Sequence, residues 1–338
     1  MPLVALFTWL MLTLPAVQER ARPTLPQADR IRIAEAFRLA DALGDELWPG
    51  WGRTPFAILL ITAEYEFLIR HPKPPDDFTL IGEDSVLRSK IWVRKRKYDL
   101  NLLATFPISG VPTIVVGRAE NTSARTSTRW VIALLHEHFH QLQYSQPEYY
   151  TEVNALGLAR GDQTGSWMLN YSFPYARVDV TRGFSVLCRL IEQALSAQTQ
   201  RDFAQALRAY LEAKERFRSL LDPDDYTYFS FQAWQEGIAR WTEYRMAELA
   251  AAQYQPSRAF RQLGDYVPFE WEARAIKNDL EKELLSVQLN QAKRVAFYVL
   301  GAAEGLVCDR LDPTWRKRYF KEKFSLDGCF HRRSSTTQ

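Results

Sequence analysis

Two histidines four residues apart, with a glutamate directly after the first, are the residues of this chain best suited to metal chemistry. They are His136, Glu137 and His140, and they follow an apolar run at 130–135 that predicts a buried helix. On a helix, positions i and i+4 share a face, so both imidazoles can bind one metal ion. Glu137 lies about 100° around the helix, where it can take a proton from water at that metal. His138 points away from this face, so we expect it to pack and not to bind metal.

We expect the third metal ligand to be a carboxylate. A catalytic zinc site uses three protein ligands and leaves one position open. His71 lies in a proline-rich loop and His331 lies in a polar tail, so neither suits the site. The longer pattern H-E-x-x-H-x-x-G-x-x-H also fails, because Gln143 and Gln146 occupy its glycine and its last histidine.

Glu236 is the carboxylate that we favour. It is followed by Gly237 inside an amphipathic helical pattern. Glycine costs about 1 kcal/mol relative to alanine within a helix, so a glycine at such a position indicates close packing. The approach of two ligand-bearing helices around one ion would require such a residue.

Together these residues resemble the Glu-zincin (gluzincin) class of zinc metallopeptidases. The matching pattern is His136-Glu137-x-x-His140, followed far downstream by Glu236-Gly237-x-Ala239-x-x-x-Glu243. The resemblance covers two helices and implies that His136, His140 and Glu236 bind Zn2+. It also implies that Glu137 is the general base and that the substrate is a peptide or a small amide.

Because the two motifs are far apart in the sequence, other residues are also candidates for the third metal ligand. In thermolysin-like and aminopeptidase-like members of the resembled class, the glutamate follows the first motif after a shorter insertion. At that shorter spacing this chain offers Asp162, with Glu148 and Glu152 nearer still. Glu236 is favoured over these alternatives.

Two further roles in the resembled class have candidates in this sequence. Its members often stabilise the oxyanion of the reaction with a Tyr or a His, and Tyr244, eight residues after Glu236, is expected to do so. The rival residues are Tyr171, Tyr175 and Tyr298. Glu243 lies seven residues after Glu236 on the same helix face, where it either orients a ligand histidine or forms a salt bridge with Arg240 or with a Lys or Arg elsewhere in the chain.

The fold class predicted from the sequence pattern is α+β, and the resemblance implies a zincin-like arrangement. Helical spacing predicts an N-terminal helix at 29–47, and apolar runs predict strands at 56–62, 66–70, 90–94 and 112–117. Residues 101–106 are ambiguous, and nearly all of the chain beyond residue 180 has helical patterns. The expected organisation is a leader at 1–18, an α+β lobe with a small, mostly antiparallel sheet and the metal helix at 27–145, a mainly helical lobe supplying the third ligand at 146–325, and a polar tail at 326–338.

One strand is a candidate for substrate binding. In the resembled class, an edge strand of the N-terminal lobe holds an extended peptide by main-chain hydrogen bonds. Val111–Gly117 lies shortly before the metal helix and is our candidate for this edge. An ordinary interior strand is the alternative interpretation.

Composition and charge restrict the partners of this protein. The net charge of +3 comes without a basic stripe interleaved with aromatic residues, which argues against nucleic acid. The apolar run at 3–14 is too short for a stable membrane span and suits a signal peptide, although no Lys or Arg precedes Arg20. We expect a protein exported to the periplasm or the exterior, with a cytoplasmic location as the alternative. The sequence does not indicate an oligomeric state.

The three cysteines do not form a disulfide scaffold, because they are few and lack a C-x-x-C spacing. We expect buried free thiols at Cys188, Cys308 and Cys329. A Cys308–Cys329 pair in an oxidising compartment is the alternative.

Three functional hypotheses follow from these observations. The leading one is a zinc-dependent hydrolase, most simply a metallopeptidase with Glu137 as general base. The second is a helical binding or scaffolding protein that retains the metal ligands without activity. The third is a zinc hydrolase that acts on non-peptide amides.

Overall fold

The computed structural model describes residues 23–162 and 164–331 of the chain. The expected leader at 1–18 and most of the expected tail lie outside these residues. Among the described helices, none has the length and apolar character needed to cross a membrane.

Six strands form one mixed sheet. They are β1 (Ile58–Ile61), β2 (Tyr65–Ile69), β3 (Thr79–Asp84), β4 (Ser89–Lys95), β5 (Leu103–Ile108) and β6 (Val111–Gly117). Their order across the sheet is β3-β4-β2-β1-β6-β5, and only the pair β1–β6 is parallel. The predicted α+β class is therefore confirmed, with a small and mostly antiparallel sheet.

The candidate edge strand was wrong, because Val111–Gly117 lies between β1 and β5. Its central residues Ile114, Val115 and Val116 are all fully buried, which is typical of a strand covered on both faces. The ambiguous segment at 101–106 forms most of β5, and β5 is the edge on this side of the sheet. The opposite edge, β3, was not predicted, because its residues are mostly exposed and show no apolar alternation.

Helices make up most of the remaining described chain. They are α1 (Gln27–Leu47), α2 (Ser127–Tyr144), α3 (Tyr149–Ala155), α4 (Trp167–Asn170), α5 (Val178–Ser196), α6 (Gln200–Ser219), α7 (Pro223–Gln232), α8 (Ile238–Gln253), α9 (Arg258–Arg261), α10 (Phe269–Ser286), α11 (Leu289–Ala292), α12 (Ala296–Leu311), α13 (Arg316–Tyr319) and α14 (Asp327–His331). A π-helical segment, Ala233–Gly237, joins α7 to α8.

Helix α2 carries the H-E-x-x-H motif and is anchored to the sheet at both ends. It begins where the Thr126 hydroxyl accepts a hydrogen bond from the Arg129 amide, as expected for a helix N-cap. The Trp130 indole donates to the carbonyl of Gly117 at 2.9 Å. Nearer the other end, the Gln141 side chain donates to the carbonyl of Ala57 at 2.9 Å. These contacts connect both halves of α2 to the strands beneath it.

The N-terminal and C-terminal parts share one hydrophobic core. Trp48, at the end of α1, is fully buried, and its ring lies 4.9 Å from Phe139 of α2 and 5.5 Å from Trp241 of α8. Its indole nitrogen also donates to the Thr242 hydroxyl at 3.0 Å. Because α1 and α8 both pack against α2, the C-terminal helices are held in a fixed position relative to the H-E-x-x-H motif.

The C-terminal chain is more ordered than predicted. Cys308 and Cys329 form a disulfide, so our preference for free thiols was wrong at these two positions, whereas Cys188 is a buried free thiol. Leu326 and Phe330 are buried, so the boundary of the polar tail at residue 326 was placed too early. A few apolar side chains spaced among polar ones were enough to bring this segment into the core.

Candidate metal centre

The structure brings together His136 and His140 of α2 and Glu236 of the π-helical segment. The possible ligand atoms of these three residues all lie within 4.8 Å of one another. His140 Nε2 lies 3.5 Å from Glu236 Oε2. Two ligands of a tetrahedral zinc ion are about 3.4 Å apart when the bonds are near 2.1 Å. The three donors are of the types that zinc binds, and the separation of His140 from Glu236 is close to this value.

The other third-ligand candidates lie elsewhere. The Asp162 carboxylate accepts hydrogen bonds from the amides of Thr164 and Trp167 in its own loop. Glu152 forms an ion pair with Lys323. Glu148 is exposed and is in no metal-ligand cluster among the described residues.

Glu236 reaches the histidines from a π-helical turn, and such turns are frequent at functional sites. A Cβ atom at Gly237 would lie 2.5 Å from the Cα of Gly301 in α12. The expected close packing at Gly237 is therefore present, but its partner is α12 and not the histidine-bearing helix. Helix α12 presses against the turn that carries Glu236.

Each histidine has a partner at its other ring nitrogen. His136 Nδ1 lies 3.4 Å from Glu243 Oε2, and Glu243 Oε1 lies 3.7 Å from Arg129, so Glu243 both contacts a candidate ligand histidine and forms a salt bridge. Arg240 is paired with Glu283. His140 Nδ1 lies 2.7 Å from the side-chain oxygen of Gln143. With Nδ1 engaged in these contacts, Nε2 of each ring is the nitrogen that could bind a metal, and His140 Nε2 faces Glu236.

Glu236 and His140 shift each other's pKa values in favour of their charged forms. Burial raises the pKa of Glu236, but the neighbouring His140 and His136 outweigh burial and lower it to about 2. Burial lowers the pKa of His140, but the Glu236 carboxylate outweighs burial and raises it to about 9. In the metal-free protein, a proton on His140 therefore balances the carboxylate, and a metal ion would take its place.

Glu137 faces a cavity of about 540 Å³ that His136 also lines. The Thr105 hydroxyl of β5 donates to Glu137 Oε2 at 2.7 Å, which fixes this carboxylate against the edge strand. Leu103 of β5 and Tyr298 of α12 line the same cavity. The candidate base thus lies between the metal ligands, the edge strand and an open space for a substrate.

His138 is a packing residue, as expected. Its ring stacks on Phe56 with centroids 3.8 Å apart and an angle of 5°, and its Nδ1 bonds to the Gln141 side chain at 2.7 Å. Burial lowers the pKa of His138 to about 3, so this ring is neutral at physiological pH.

Tyr244 does not reach the metal centre, so its assignment as oxyanion donor was wrong. Its hydroxyl donates to Glu248, and its ring lines a separate cavity of about 510 Å³. On a regular helix, eight residues correspond to a rotation about 80° away from Glu236, whereas seven residues correspond to only about 20°. Glu243 therefore faces the histidines and Tyr244 does not.

Among the rival tyrosines, only Tyr298 lines the cavity that His136 and Glu137 also line. Tyr171 donates its hydroxyl to Asp225 at 3.0 Å, and Tyr175 stacks on Phe297 with centroids 6.0 Å apart. The hydroxyl of Tyr298 accepts a hydrogen bond from the Arg294 guanidinium.

Sequence reasoning missed three residues that contact the site, namely Thr105, Gln143 and Arg294. For Gln143 a signal existed, because a residue three positions after His140 on a helix can bond to its ring. For Thr105 and Arg294, the contacts depend on tertiary packing that the sequence pattern does not encode.

Compared with protein-family models, with curated proteins and with solved structures, this chain has no significant match.

Proposed function

We propose that this protein is a zinc-dependent hydrolase of the gluzincin type with a zincin-like fold, and that it cleaves a peptide or a small amide. The observation that carries the proposal is that the possible ligand atoms of His136, His140 and Glu236 all lie within 4.8 Å of one another. Glu137 beside an open cavity adds the base that hydrolysis requires. No other group of possible metal ligands is found among the described residues.

The ion held by these three ligands would supply Lewis-acid chemistry, polarising the substrate carbonyl and making water more acidic. Glu137 takes a proton from water on one carboxylate oxygen and delivers it to the leaving amine. The single hydroxyl proton of Thr105 has two acceptors in reach, Oε2 of this carboxylate at 2.7 Å and the Glu137 carbonyl at 3.0 Å, and we assign it to the nearer Oε2, which leaves Oε1 to accept the proton from water. The edge strand thus orients the base.

Tyr298 is the oxyanion donor in this proposal, in place of Tyr244. Its oxygen already accepts a hydrogen bond from Arg294, so its own proton is free to be donated into the cavity. A positioned donor of this kind stabilises the negative charge that develops on the carbonyl oxygen.

Strand β5 is the surface that we propose for an extended substrate. Gly117 donates its amide to the carbonyl of Leu102 at 2.8 Å, and hydrogen-bonded positions alternate along an antiparallel pair. The main-chain groups of Leu103 and Thr105 consequently face the free edge. Because both residues also contact the cavity or the base, a peptide paired to this edge would pass Glu137.

We also propose that the protein works outside the cytoplasm. The Cys308–Cys329 disulfide supports this location, since such bonds persist mainly in oxidising compartments.

The experiment combines metal analysis with turnover of a peptide library. Zinc-replete wild-type protein should hold one zinc per chain and cleave a subset of peptides. Glu137→Gln should keep the zinc and lose at least about 100-fold in kcat, as expected for removal of a general base. Glu212→Gln, an exposed glutamate on α6, is the matched control and should behave as wild type.

Two further variants test the arrangement of the site. His136→Ala should lose zinc and turnover together. Tyr298→Phe should lower kcat with zinc retained, while Tyr244→Phe should have no effect. A wild-type protein that stays zinc-free in excess zinc would contradict the proposal. Zinc binding without any peptide or amide turnover would favour a non-catalytic binding protein.

A further inference from the structure

The side-chain amide of Gln143 lies fully buried between the two elements that carry the metal ligands. Its oxygen lies 2.7 Å from His140 Nδ1 on its own helix. Its nitrogen lies 3.0 Å from the carbonyl oxygen of Gln235, the residue directly before Glu236. One amide therefore contacts a ligand histidine and the backbone that supports the ligand glutamate.

The chemistry of the partners fixes the direction of each hydrogen bond. The Gln235 carbonyl can only accept, so the amide atom facing it is the NH2 group of Gln143. The atom facing His140 is then the amide oxygen, which can only accept. His140 Nδ1 must therefore carry a proton, and in the neutral ring Nε2 keeps the lone pair that points toward Glu236.

Tyr319 extends this network from the C-terminal part of the chain. Its hydroxyl accepts from the Gln143 NH2 group at 2.8 Å and donates to the carbonyl of Trp234 at 2.6 Å. Its ring stacks on the Trp234 ring with centroids 4.5 Å apart and an angle of 10°. The carbonyls of Trp234 and Gln235 are thus both held by side chains, immediately before Glu236.

We infer that Gln143 and Tyr319 are positioning residues for the metal centre, a role that rests on the proposed zinc site. Gln143 selects the ring form of His140 that can bind metal through Nε2. Together with Tyr319, it holds the backbone carbonyls of Gln235 and Trp234 and thereby positions the turn that carries Glu236. Neither side chain touches the metal or the substrate, so both act through the ligands, in the way that the hydrogen-bond partners of metal ligands usually do.

The chain contains a matched control for this inference. Gln141 is also buried on α2, and its oxygen lies 2.7 Å from Nδ1 of His138, while its nitrogen donates to the carbonyls of Ala57 and Pro112 at 2.9 Å. The same chemistry therefore occurs at a histidine outside the metal centre. A purely structural loss should affect both glutamines alike, whereas a loss of metal positioning should affect only Gln143.

The test measures the zinc Kd by competition with a chelator, and the Tm of the metal-free protein, for wild type, Gln143→Leu, Gln141→Leu and Tyr319→Phe. Gln143→Leu should raise the zinc Kd by about 10- to 100-fold, and Tyr319→Phe should raise it by a smaller factor because its ring stacking is kept. Gln141→Leu should lower the Tm without changing the zinc Kd. Gln143→Glu, which keeps an acceptor for His140, should recover part of the affinity lost in Gln143→Leu.

A spectroscopic measurement reads the ring directly. With 15N-labelled histidine, the five histidines of the chain give few signals, and zinc-loaded wild type should show a protected Nδ1 proton on His140 that is lost in Gln143→Leu. A zinc Kd for Gln143→Leu equal to that for Gln141→Leu would overturn the inference while leaving the zinc site intact. Absence of zinc binding by wild type would instead remove the proposed function and this inference with it.

Discussion

Replacing Gly237 with alanine adds a methyl group where α12 leaves no space for one. The added Cβ would lie 2.5 Å from the Cα of Gly301. Carbon atoms in contact are usually about 3.5–4.0 Å apart, so the π-helical turn and α12 would have to separate by about 1 Å. Because Glu236 directly precedes Gly237, most of this shift would reach the Glu236 carboxylate, the proposed metal ligand.

The expected effects on folding and on metal binding differ in size. Forcing an extra carbon into a packed region costs about 1–3 kcal/mol, and alanine recovers about 1 kcal/mol of helix propensity relative to glycine. The free energy of unfolding of the metal-free protein should therefore fall by only about 1 kcal/mol. Metal ligands tolerate displacements of only about 0.2 Å, so a shift of about 1 Å should raise the zinc Kd by about 100-fold or more.

The assay is zinc competition against a chelator, with the free energy of unfolding measured in urea on the same samples. Gly301→Ala is a reciprocal variant, since its Cβ would lie 2.8 Å from the Cα of Gly237, and it should weaken zinc binding although α12 carries no ligand. Gly264→Ala is the control, because a Cβ there meets nothing within 4 Å. A folded Gly237→Ala protein that binds zinc as tightly as wild type would show that packing against α12 does not position Glu236.

Three further predictions concern the base, the proton balance and the disulfide. Thr105→Val removes the hydroxyl that donates to Glu137 at 2.7 Å. Losing this hydrogen bond to a carboxylate should cost about 1.5 kcal/mol, so kcat should fall by about 10-fold while the zinc Kd stays unchanged. Equal kcat values for the variant and the wild type would contradict this. The pKa of His140 is raised to about 9 in the metal-free protein, so zinc must displace its proton below that pH. Zinc affinity should therefore rise with pH up to about 9, and calorimetry in two buffers of different ionisation heat should detect the released proton; an affinity that is constant from pH 7 to 9 would count against it. The same proton stabilises the metal-free fold fully below the ordinary histidine pKa of 6.5, and this contribution is lost as the pH rises through 9. The Cys308–Cys329 disulfide closes a loop with a sequence separation of 21. Reducing it should lower the free energy of unfolding by about 3 kcal/mol. A urea midpoint that does not change on reduction would exclude this contribution.

Residue type and local spacing were enough to predict the main elements of the site. The four-residue spacing of His136 and His140 requires only that the segment be helical, and the apolar run before it indicated as much. Glu236 could be selected because the chain has no suitable third histidine and because Gly237 indicated close packing. The first ground depends on the few histidines of the chain and the second on local pattern, and in the structure the possible ligand atoms of the three residues lie within 4.8 Å of one another.

The remaining parts of the site depend on contacts between distant segments. Gly237 was expected to face the histidine helix, but its partner is Gly301, which nothing local identifies. Tyr244 was assigned because eight residues are roughly two helical turns. On a regular helix, however, this spacing places Tyr244 about 80° around the axis from Glu236, whereas seven residues would leave only about 20°. Gln143 acts on the site only because Tyr319, from the C-terminal chain, lies against it.

The order of the strands in the sheet also depends on contacts between distant segments. The parallel pairing of β1 with β6 joins segments that are far apart in the sequence and places β6 in the interior of the sheet. The edge of the sheet near the metal helix is consequently β5, whose mixed burial pattern gave no clear signal. The pattern of a single strand shows that it is buried on both faces, but it does not show which neighbours cover it.

The proposed zinc site can be tested most directly by anomalous diffraction at the zinc edge from crystals of the zinc-loaded protein. We expect one strong peak per chain, about 2.0–2.2 Å from His136 Nε2, His140 Nε2 and a Glu236 carboxylate oxygen. A zinc peak away from these three atoms, or zinc bound by the histidines with Glu236 turned away and no other carboxylate in its place, would contradict it.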